Sequence, residues 1–308
     1  MLPDRPITGI LLMLAFCVIA PMGDAVAKLL STAVPIGQVV LLRFLVQAAL
    51  LIPLVWATRR MWRMRGRVLW LAWLRTCLHI LGIAAMFVAL RYLPLADAIA
   101  IVFVLPFFML LLGKFILKEE VGHRRLLACA VGFIGTLMVI QPSFQTVGWP
   151  ALIPVGVAAN FALFMLLTRQ LAKDTDPIGL QAVSGVMAVA LIIPALWIGD
   201  ALSVPALALI TPTPFEWGLL MGIGVLGTVA HLFMTWALRF APSATLAPMQ
   251  YLEIPFATVI GFVIFQDLPN PLATFGIALT ITAGLYIIMR ERAIALRQDP
   301  SEPSATPA

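Results

Sequence analysis

Ten apolar runs of about 20 residues each limit what this chain can fold into more than any other feature of its sequence. A run of that length crosses the hydrocarbon core of a bilayer as a helix, whereas the strands of an outer-membrane barrel are about ten residues long and alternate in hydrophobicity. A helix also closes its own backbone hydrogen bonds in lipid. We therefore predict an all-α membrane protein with ten spans, at residues 7–30, 36–57, 68–91, 95–117, 125–141, 149–170, 178–198, 215–238, 243–265 and 271–289.

Basic residues collect in every second loop between these runs. Five arginines fall within residues 59–67, whereas the loops of the opposite side carry almost no basic residue except Arg91. Because cytoplasmic loops are enriched in Lys and Arg, this asymmetry predicts an inner-membrane protein with both termini in the cytoplasm. The net charge of +6 is therefore explained by topology, and it gives no reason to expect nucleic-acid binding.

A short motif occurs twice. Residues 89–94 read ALRYLP, and residues 237–242, 148 positions later, read ALRFAP. Each half then contains an odd number of spans, so the second copy enters the membrane from the opposite side, as in many secondary transporters. We predict two inverted five-helix repeats, 1–143 and 148–290, followed by a disordered cytoplasmic tail, 291–308. Chance likeness between Ala- and Leu-rich helix ends is the alternative.

The first run has a second interpretation as a cleavable signal peptide. Arg5, the apolar residues 7–20 and the Ala-Val-Ala triplet at 25–27 have the order of such a peptide. Cleavage would leave nine spans and break the symmetry of the two halves.

Two segments carry a resemblance to a known family. Residues 92–120, YLPLADAIAIVFVLPFFMLLLGKFILKEE, and residues 240–267, FAPSATLAPMQYLEIPFATVIGFVIFQD, resemble the fourth and ninth helices of EamA-type members of the drug/metabolite transporter superfamily. The resemblance covers about residues 7–290 and implies ten spans in two repeats and the transport of small metabolites, often export. The chain is similar to the amino-acid exporters of that family. It departs from the family pattern at Glu253-Ile254-Pro255 and at Gln266-Asp267, so the coupling residues are not carried over.

Ionisable residues within the spans are few and costly, at about 2.5–3.5 kcal/mol each near the bilayer centre. Asp24 in span one and Arg43 in span two lie at similar depth, so they form either an ion pair or part of a gate. Arg75 lies closer to the cytoplasm. Each of the three needs a partner or a watery cavity.

Several polar and aromatic residues near the midplane come from both halves of the chain. The polar groups suit a zwitterionic substrate, and the rings suit an apolar pocket. Each His or Asn has the alternative of bonding a neighbouring helix, and Glu253 is either ionised beside a cation, protonated for proton coupling, or structural. The predicted substrate-binding residues are His79, Phe103, Asn160, Phe164, His231, Trp236, Tyr251 and Glu253.

Two prolines occupy near-equivalent places in spans four and nine. Pro106 and Pro255 each remove one helix hydrogen bond and free the carbonyls of Val102 and Tyr251. We predict that both are hinges, since interrupted helices in matching positions point to a transport site. A plain kink is the alternative.

Other functions require features that the sequence does not offer. A membrane enzyme needs clustered acids, His or Cys, and primary pumping needs a phosphate-binding loop; neither pattern occurs. Cys17, Cys77 and Cys129 fall within apolar runs and are interpreted as packing residues. A nucleotide-sugar transporter would favour more basic residues than Arg43 and Arg75. We predict a secondary transporter that exports small metabolites, with amino acids first, and with no metal, cofactor or obligatory protein partner.

Overall fold

The computed structural model describes residues 6–105, 107–108, 112, 123–241 and 246–297. Over these residues the chain is helical and forms no strand. Three short 3-10 helices precede or separate the α-helices, at Trp149–Leu152, Pro205–Leu207 and Ala247–Leu252. The α-helices are α1 (Pro6–Leu30), α2 (Ile36–Ala57), α3 (Gly66–Ala89), α4 (Leu95–Val102), α5 (His123–Val147), α6 (Ile153–Asp174), α7 (Pro177–Ala201), α8 (Pro214–Phe240), α9 (Glu253–Phe265) and α10 (Pro271–Arg297).

Seven helices of the described chain are long and apolar enough to cross a membrane, by length and composition. They are α1 to α3 and α5 to α8, and Met249–Phe265 and Pro271–Ala283 add shorter apolar helices. The chain is therefore a multi-span membrane protein. The predicted fourth span lies partly outside the described residues, and Pro106 with it.

The predicted tail is wrong over its first seven residues. Helix α10 continues to Arg297, so residues 291–297 are helical. The remainder of that prediction, 298–308, lies outside the described residues.

Caps and prolines decide where α7 and α8 begin. The Asp176 carboxylate accepts hydrogen bonds from the backbone N–H groups of Ile178 and Gly179, both at 3.0 Å. Thr213 and Glu216 form a reciprocal capping box at the start of α8. Pro177 and Pro214 each occupy the first helical position, where a missing N–H costs nothing.

The helices pair across the two parts of the chain. Helix α1 packs along α8, α3 along α6, α2 along α7, and α5 along α10. Small residues allow the last pair to approach closely: a Cβ on Gly276 would collide with the Gly135 carbonyl, and the Thr280 hydroxyl contacts the Gly132 carbonyl at 3.3 Å. The first two pairs and α2 border a space within the bundle.

Candidate functional site

A cavity of about 970 Å³, counting its open mouth, lies between the paired helices. Helices α1, α2, α3, α4, α6, α8 and α9 all contribute to its wall. The wall is mainly apolar with a few polar groups, which is typical of small-molecule sites. Its polar members are Asp24, Arg43, His79, Asn160, His231, Gln250 and Glu253, and its rings are Phe16, Phe87, Phe103, Phe161 and Phe164.

Two histidines meet in the wall of this cavity. His79 of α3 and His231 of α8 approach at 3.3 Å between their Nε2 atoms. One ring must donate and the other must accept, so the two rings carry different tautomers. Protonation of both imidazoles would set two N–H groups against each other and break the contact.

The outer nitrogens of the two rings are both buried. Neither His79 Nδ1 nor His231 Nδ1 has a hydrogen-bond partner within the described chain. Because the tautomers differ, one Nδ1 is a donor and the other is an acceptor. The pair therefore offers a bound molecule one hydrogen bond of each kind.

Aromatic rings enclose the histidine pair. His79 lies 4.7 Å from Phe164 and 5.1 Å from Phe44 between ring centroids, the latter edge to face. His231 meets Phe16 edge to face at 6.0 Å. Phe161 stacks on Phe164 at 5.7 Å with an interplanar angle of 13°. The rings surround the pair with apolar surface and leave it little contact with water.

The side-chain amide of Asn160 lies in the cavity wall, next to a glycine of the facing helix. The Asn160 Nδ2 group donates to the Leu78 carbonyl at 2.9 Å, and its Oδ1 atom is buried without a partner in the described chain. Gly82 gives this amide its space, since a Cβ there would overlap it. The amide therefore has one acceptor free for a ligand.

The predicted ion pair between Asp24 and Arg43 does not form in this structure. Both side chains line the cavity, but no ion pair within 4.0 Å joins them among the described residues. The Arg43 guanidinium instead crosses Gly227 and lies 4.8 Å from the Phe44 ring. Its Nη1 atom is buried and unbonded within that part of the chain, so the alternative of a gate or substrate contact stays a prediction.

Arg75 lies behind the cavity wall rather than in it. Its Nε group donates to the Thr168 hydroxyl at 2.8 Å and its Nη1 group to the Ser184 hydroxyl at 3.0 Å. The guanidinium covers the outer face of Phe164 at 4.5 Å. Two hydroxyls and a ring on α6 and α7 thus supply part of the polar surroundings of this buried charge, while its Nη2 atom is buried without a partner in the described chain.

Both short helices at the cavity are interrupted where they reach it. Helix α4 ends at Val102 and turns at Phe103, and the 3-10 helix Ala247–Leu252 changes to α9 at Glu253. Pro255 lies in the first turn of α9, two residues after that change. The break of each helix is therefore a fact of the fold, whereas hinge motion at Pro255 stays a prediction.

Two predicted ligand contacts lie outside the cavity. Trp236 packs with Leu51 and Val55 on the α2 and α7 side of α8. Tyr251 is buried behind Phe103, with ring centroids 5.1 Å apart. By contrast, the predicted residues His79, Phe103, Asn160, Phe164, His231 and Glu253 all line the cavity.

The sequence interpretation missed several side chains of the wall, and three of them are instructive. Gln250 is buried, and neither of its side-chain polar atoms has a partner in the described chain. An amide within an apolar run was a usable signal for it. Phe161 follows Asn160 and precedes Phe164 by three positions, which a helical face would have indicated. Phe16 had no such signal, because it lies in a run of similar apolar residues.

Three comparisons relate the chain to known proteins. It is 30% identical over 218 residues to a riboflavin transporter of Brucella anthropi, covering 71% of this chain and 76% of that protein. It is 25% identical over 296 residues to an S-adenosylmethionine uptake transporter of Rickettsia felis, covering 96% and 97%. A crystal structure that is 18% identical, with a TM-score of 0.66, covers 94% of this chain and 98% of its own and shares the fold.

The EamA-like transporter family matches the chain twice, over residues 7–141 and again over residues 148–290. The two matches include nearly all of the helices that surround the cavity. Together with the transporter names of the relatives, they identify a membrane transporter and not an enzyme. The chain belongs to the EamA-like transporter family.

Proposed function

We propose that this protein is a secondary transporter of the inner membrane, and that its central cavity binds a small metabolite with a flat heterocyclic ring. The observation that carries the proposal is the pairing of stacked rings with unbonded polar atoms in one cavity. Phe161 and Phe164 contribute a stacked pair of rings to the wall, and beside them His79 and His231 hold one donor and one acceptor without a partner in the described chain. A heterocycle with an amide or amidine edge matches both features.

The names of the relatives support a heterocyclic substrate. Riboflavin and S-adenosylmethionine each contain a fused, planar, nitrogen-rich ring system and a hydroxylated five-carbon group, a ribityl chain in the first and a ribose ring in the second. The Asn160 Oδ1 atom and both polar atoms of Gln250 are free to meet hydroxyl groups. A riboflavin-like molecule is uncharged, so it requires no counter-ion from the wall.

A second candidate is a cationic heterocycle like S-adenosylmethionine. The wall carries two carboxyl groups, Asp24 and Glu253, against the single guanidinium of Arg43. That balance favours a cation over an anionic nucleotide sugar. Amino acids, the substrate expected from the sequence, share the ammonium group with this candidate, but neither named relative supports them or the export direction.

We further propose that the two matched segments are inverted repeats. Their movement against each other would open the cavity to one side of the membrane and then to the other. In such a repeat each helix of the first half corresponds to the helix five places later, so α1 corresponds to α6 and α3 to α8. The contact of α1 with α8 is then equivalent to the contact of α6 with α3, and both are present. Helices α2 and α7, and α5 and α10, pair with their own counterparts under the same rule. The histidine contact crosses this interface, so rocking of the halves would separate the rings.

Ten spans and cytoplasmic termini remain part of the proposal. They rest on the five arginines of residues 59–67, which the positive-inside rule assigns to the cytoplasm. Substituted-cysteine labelling of that loop in intact cells gives the check: protection from an impermeant reagent is expected, and labelling from outside would reverse the orientation.

Transport by purified protein in sealed vesicles tests the proposed substrate. Labelled riboflavin, S-adenosylmethionine, an amino acid and a nucleotide sugar are offered separately, in both directions. We expect saturable transport of one of the two heterocycles. Transport of the amino acid or the nucleotide sugar alone would reject the heterocycle proposal, although the family assignment would stand.

A pair of phenylalanine variants relates that transport to the cavity. Phe161→Leu removes the stacked ring, and a lost base-aromatic contact costs about 1–3 kcal/mol, or about 5- to 150-fold in affinity. Phe144→Leu makes the same change at an exposed position outside the cavity wall. We expect weaker binding only in Phe161→Leu, and equal effects of both variants would contradict the site.

A further inference from the structure

A second groove opens on the outside of the bundle, apart from the central cavity. It lies between α2, the loop that follows α2, and α7, and it has a volume of about 1130 Å³ counting its open side. Its floor is apolar, with Ile52 and Val55 from α2 and Ala182 and Val186 from α7. Nothing in the transport cycle proposed above uses it.

The loop that forms one wall of the groove is fixed in place. The Arg60 guanidinium is bound to the Asp176 carboxylate at the start of α7, at 2.7 Å between Nη1 and Oδ1. The Met61 carbonyl lies directly on Gly179 of α7, where a Cβ would collide with it. The groove therefore exists before any ligand arrives, and binding has little ordering of the backbone to offset.

The rim of the groove is basic and aromatic. Arg63 and Arg65 line it and are exposed, and no ion pair of the described residues neutralises either. The Arg63 guanidinium lies 5.7 Å from the Trp62 ring. Trp56, which is 77% exposed, stands on the other side of the rim. Tryptophan next to arginine at the end of a span is typical of the headgroup level of a bilayer.

We propose that this groove is a binding site for one anionic phospholipid. Arg63 and Arg65 bind the phosphate and the anionic headgroup, and an acyl chain follows the apolar floor between α2 and α7. Two positive charges above an apolar channel complement that molecule in both charge and polarity. The acyl chain of a zwitterionic phospholipid fits the same floor, but its headgroup binds the two arginines of the rim more weakly. The charge of the headgroup therefore decides which lipid the groove selects.

Native mass spectrometry of the full-length protein tests the proposal. The protein is released from nanodiscs made of equal parts phosphatidylglycerol and phosphatidylcholine, and the retained lipids are counted. Each arginine near the headgroup plane contributes about fivefold, so the two together should make the parent favour phosphatidylglycerol by about 25-fold at one site. No preference in the parent would overturn the proposal.

A matched pair of charge variants localises the site. R63Q/R65Q removes the two rim charges and should lower the preference to near one. R59Q/R67Q removes the same net charge from residues of the same segment that do not line the groove, and it should keep the preference. Equal losses in the two variants would mean general attraction by the loop and would overturn a specific site.

Filling the floor gives an independent check that leaves the arginines in place. Val186 is 47% exposed, so Val186→Trp fills the groove without crowding the core. We expect retention of both lipids at this site to fall at least tenfold, while transport in vesicles continues. Unchanged retention would exclude the acyl-chain channel.

Discussion

The contact between His79 and His231 allows a quantitative test of how the halves are joined. Replacing His231 with Phe keeps a ring between Phe16 and Phe164 and removes the partner of His79 Nε2. That nitrogen is then buried and unbonded, at a cost of about 1–3 kcal/mol. His79→Phe has the mirror effect on His231. The double variant leaves no imidazole nitrogen without a partner, so it should cost less than the sum of the two single changes.

The expected size of that difference follows from the environment. Hydrogen bonds between helices in membranes couple by about 0.6 kcal/mol on average and reach about 1.7 kcal/mol. For a buried pair at 3.3 Å we predict a coupling of about 0.5–1.5 kcal/mol. The free energy of unfolding of all four proteins is measured by circular dichroism during denaturation of the purified protein in mixed micelles.

Thr282→Val provides the control for this cycle. The Thr282 hydroxyl is exposed and bonds only the Ala278 carbonyl of its own helix among the described contacts, far from the pair in sequence. Its effect should add to that of His231→Phe within about 0.3 kcal/mol. Equally additive behaviour of the two histidines would refute the claim that their contact holds the halves together.

Three further predictions concern the cavity and the backbone around it. Glu253→Gln keeps the side-chain shape, so it should weaken a cationic substrate about tenfold and leave riboflavin unchanged in a binding titration; equal effects on both would exclude a charge contact. Pro255→Ala restores a backbone donor at the change from 3-10 to α-helix and should slow transport at normal abundance in a vesicle assay; an unchanged rate would leave only a kink. Gly148 has φ of 71° and ψ of −141° with open space around it, so Gly148→Ala should destabilise by about 1–3 kcal/mol through backbone strain alone, measured as a lower midpoint of unfolding; no shift would contradict that reasoning.

Some helix ends were predictable because local chemistry sets them, whereas others, such as the end of α10 at Arg297, were not. The second span was expected at 36–57, and α2 occupies Ile36–Ala57. Proline at a first helical position, as at Pro214, and capping groups such as Asp176 mark ends that need no tertiary contact. Except for Gln250, the polar side chains that line the cavity were also predictable, since a buried polar group within a span is expensive unless it has a use.

The rotation of each helix was not predictable from the sequence. Trp236 follows His231 by five positions, which turns its side chain by about 140° around α8 and away from the cavity. The prediction that Tyr251 lines the cavity failed for another reason. Tyr251 lies in a 3-10 helix, in which residues three positions apart share one face. Gln250 and Glu253 therefore share the face that lines the cavity, and Tyr251 lies on a different one. Long-range packing decides both features, and no local pattern encodes it.

The measurement that tests the central claim most directly is the accessibility of the cavity from the two sides of the membrane. Leu226 lines the cavity without belonging to its polar set, so Leu226→Cys in a protein without other reactive cysteines reports on the space itself. Impermeant thiol reagents are applied from either face of sealed vesicles, with and without the transported heterocycle. Alternating access predicts labelling from both faces in the absence of substrate and at least tenfold slower labelling when substrate fills the cavity. Labelling from one face only, unaffected by any transported molecule, would contradict a central alternating-access site.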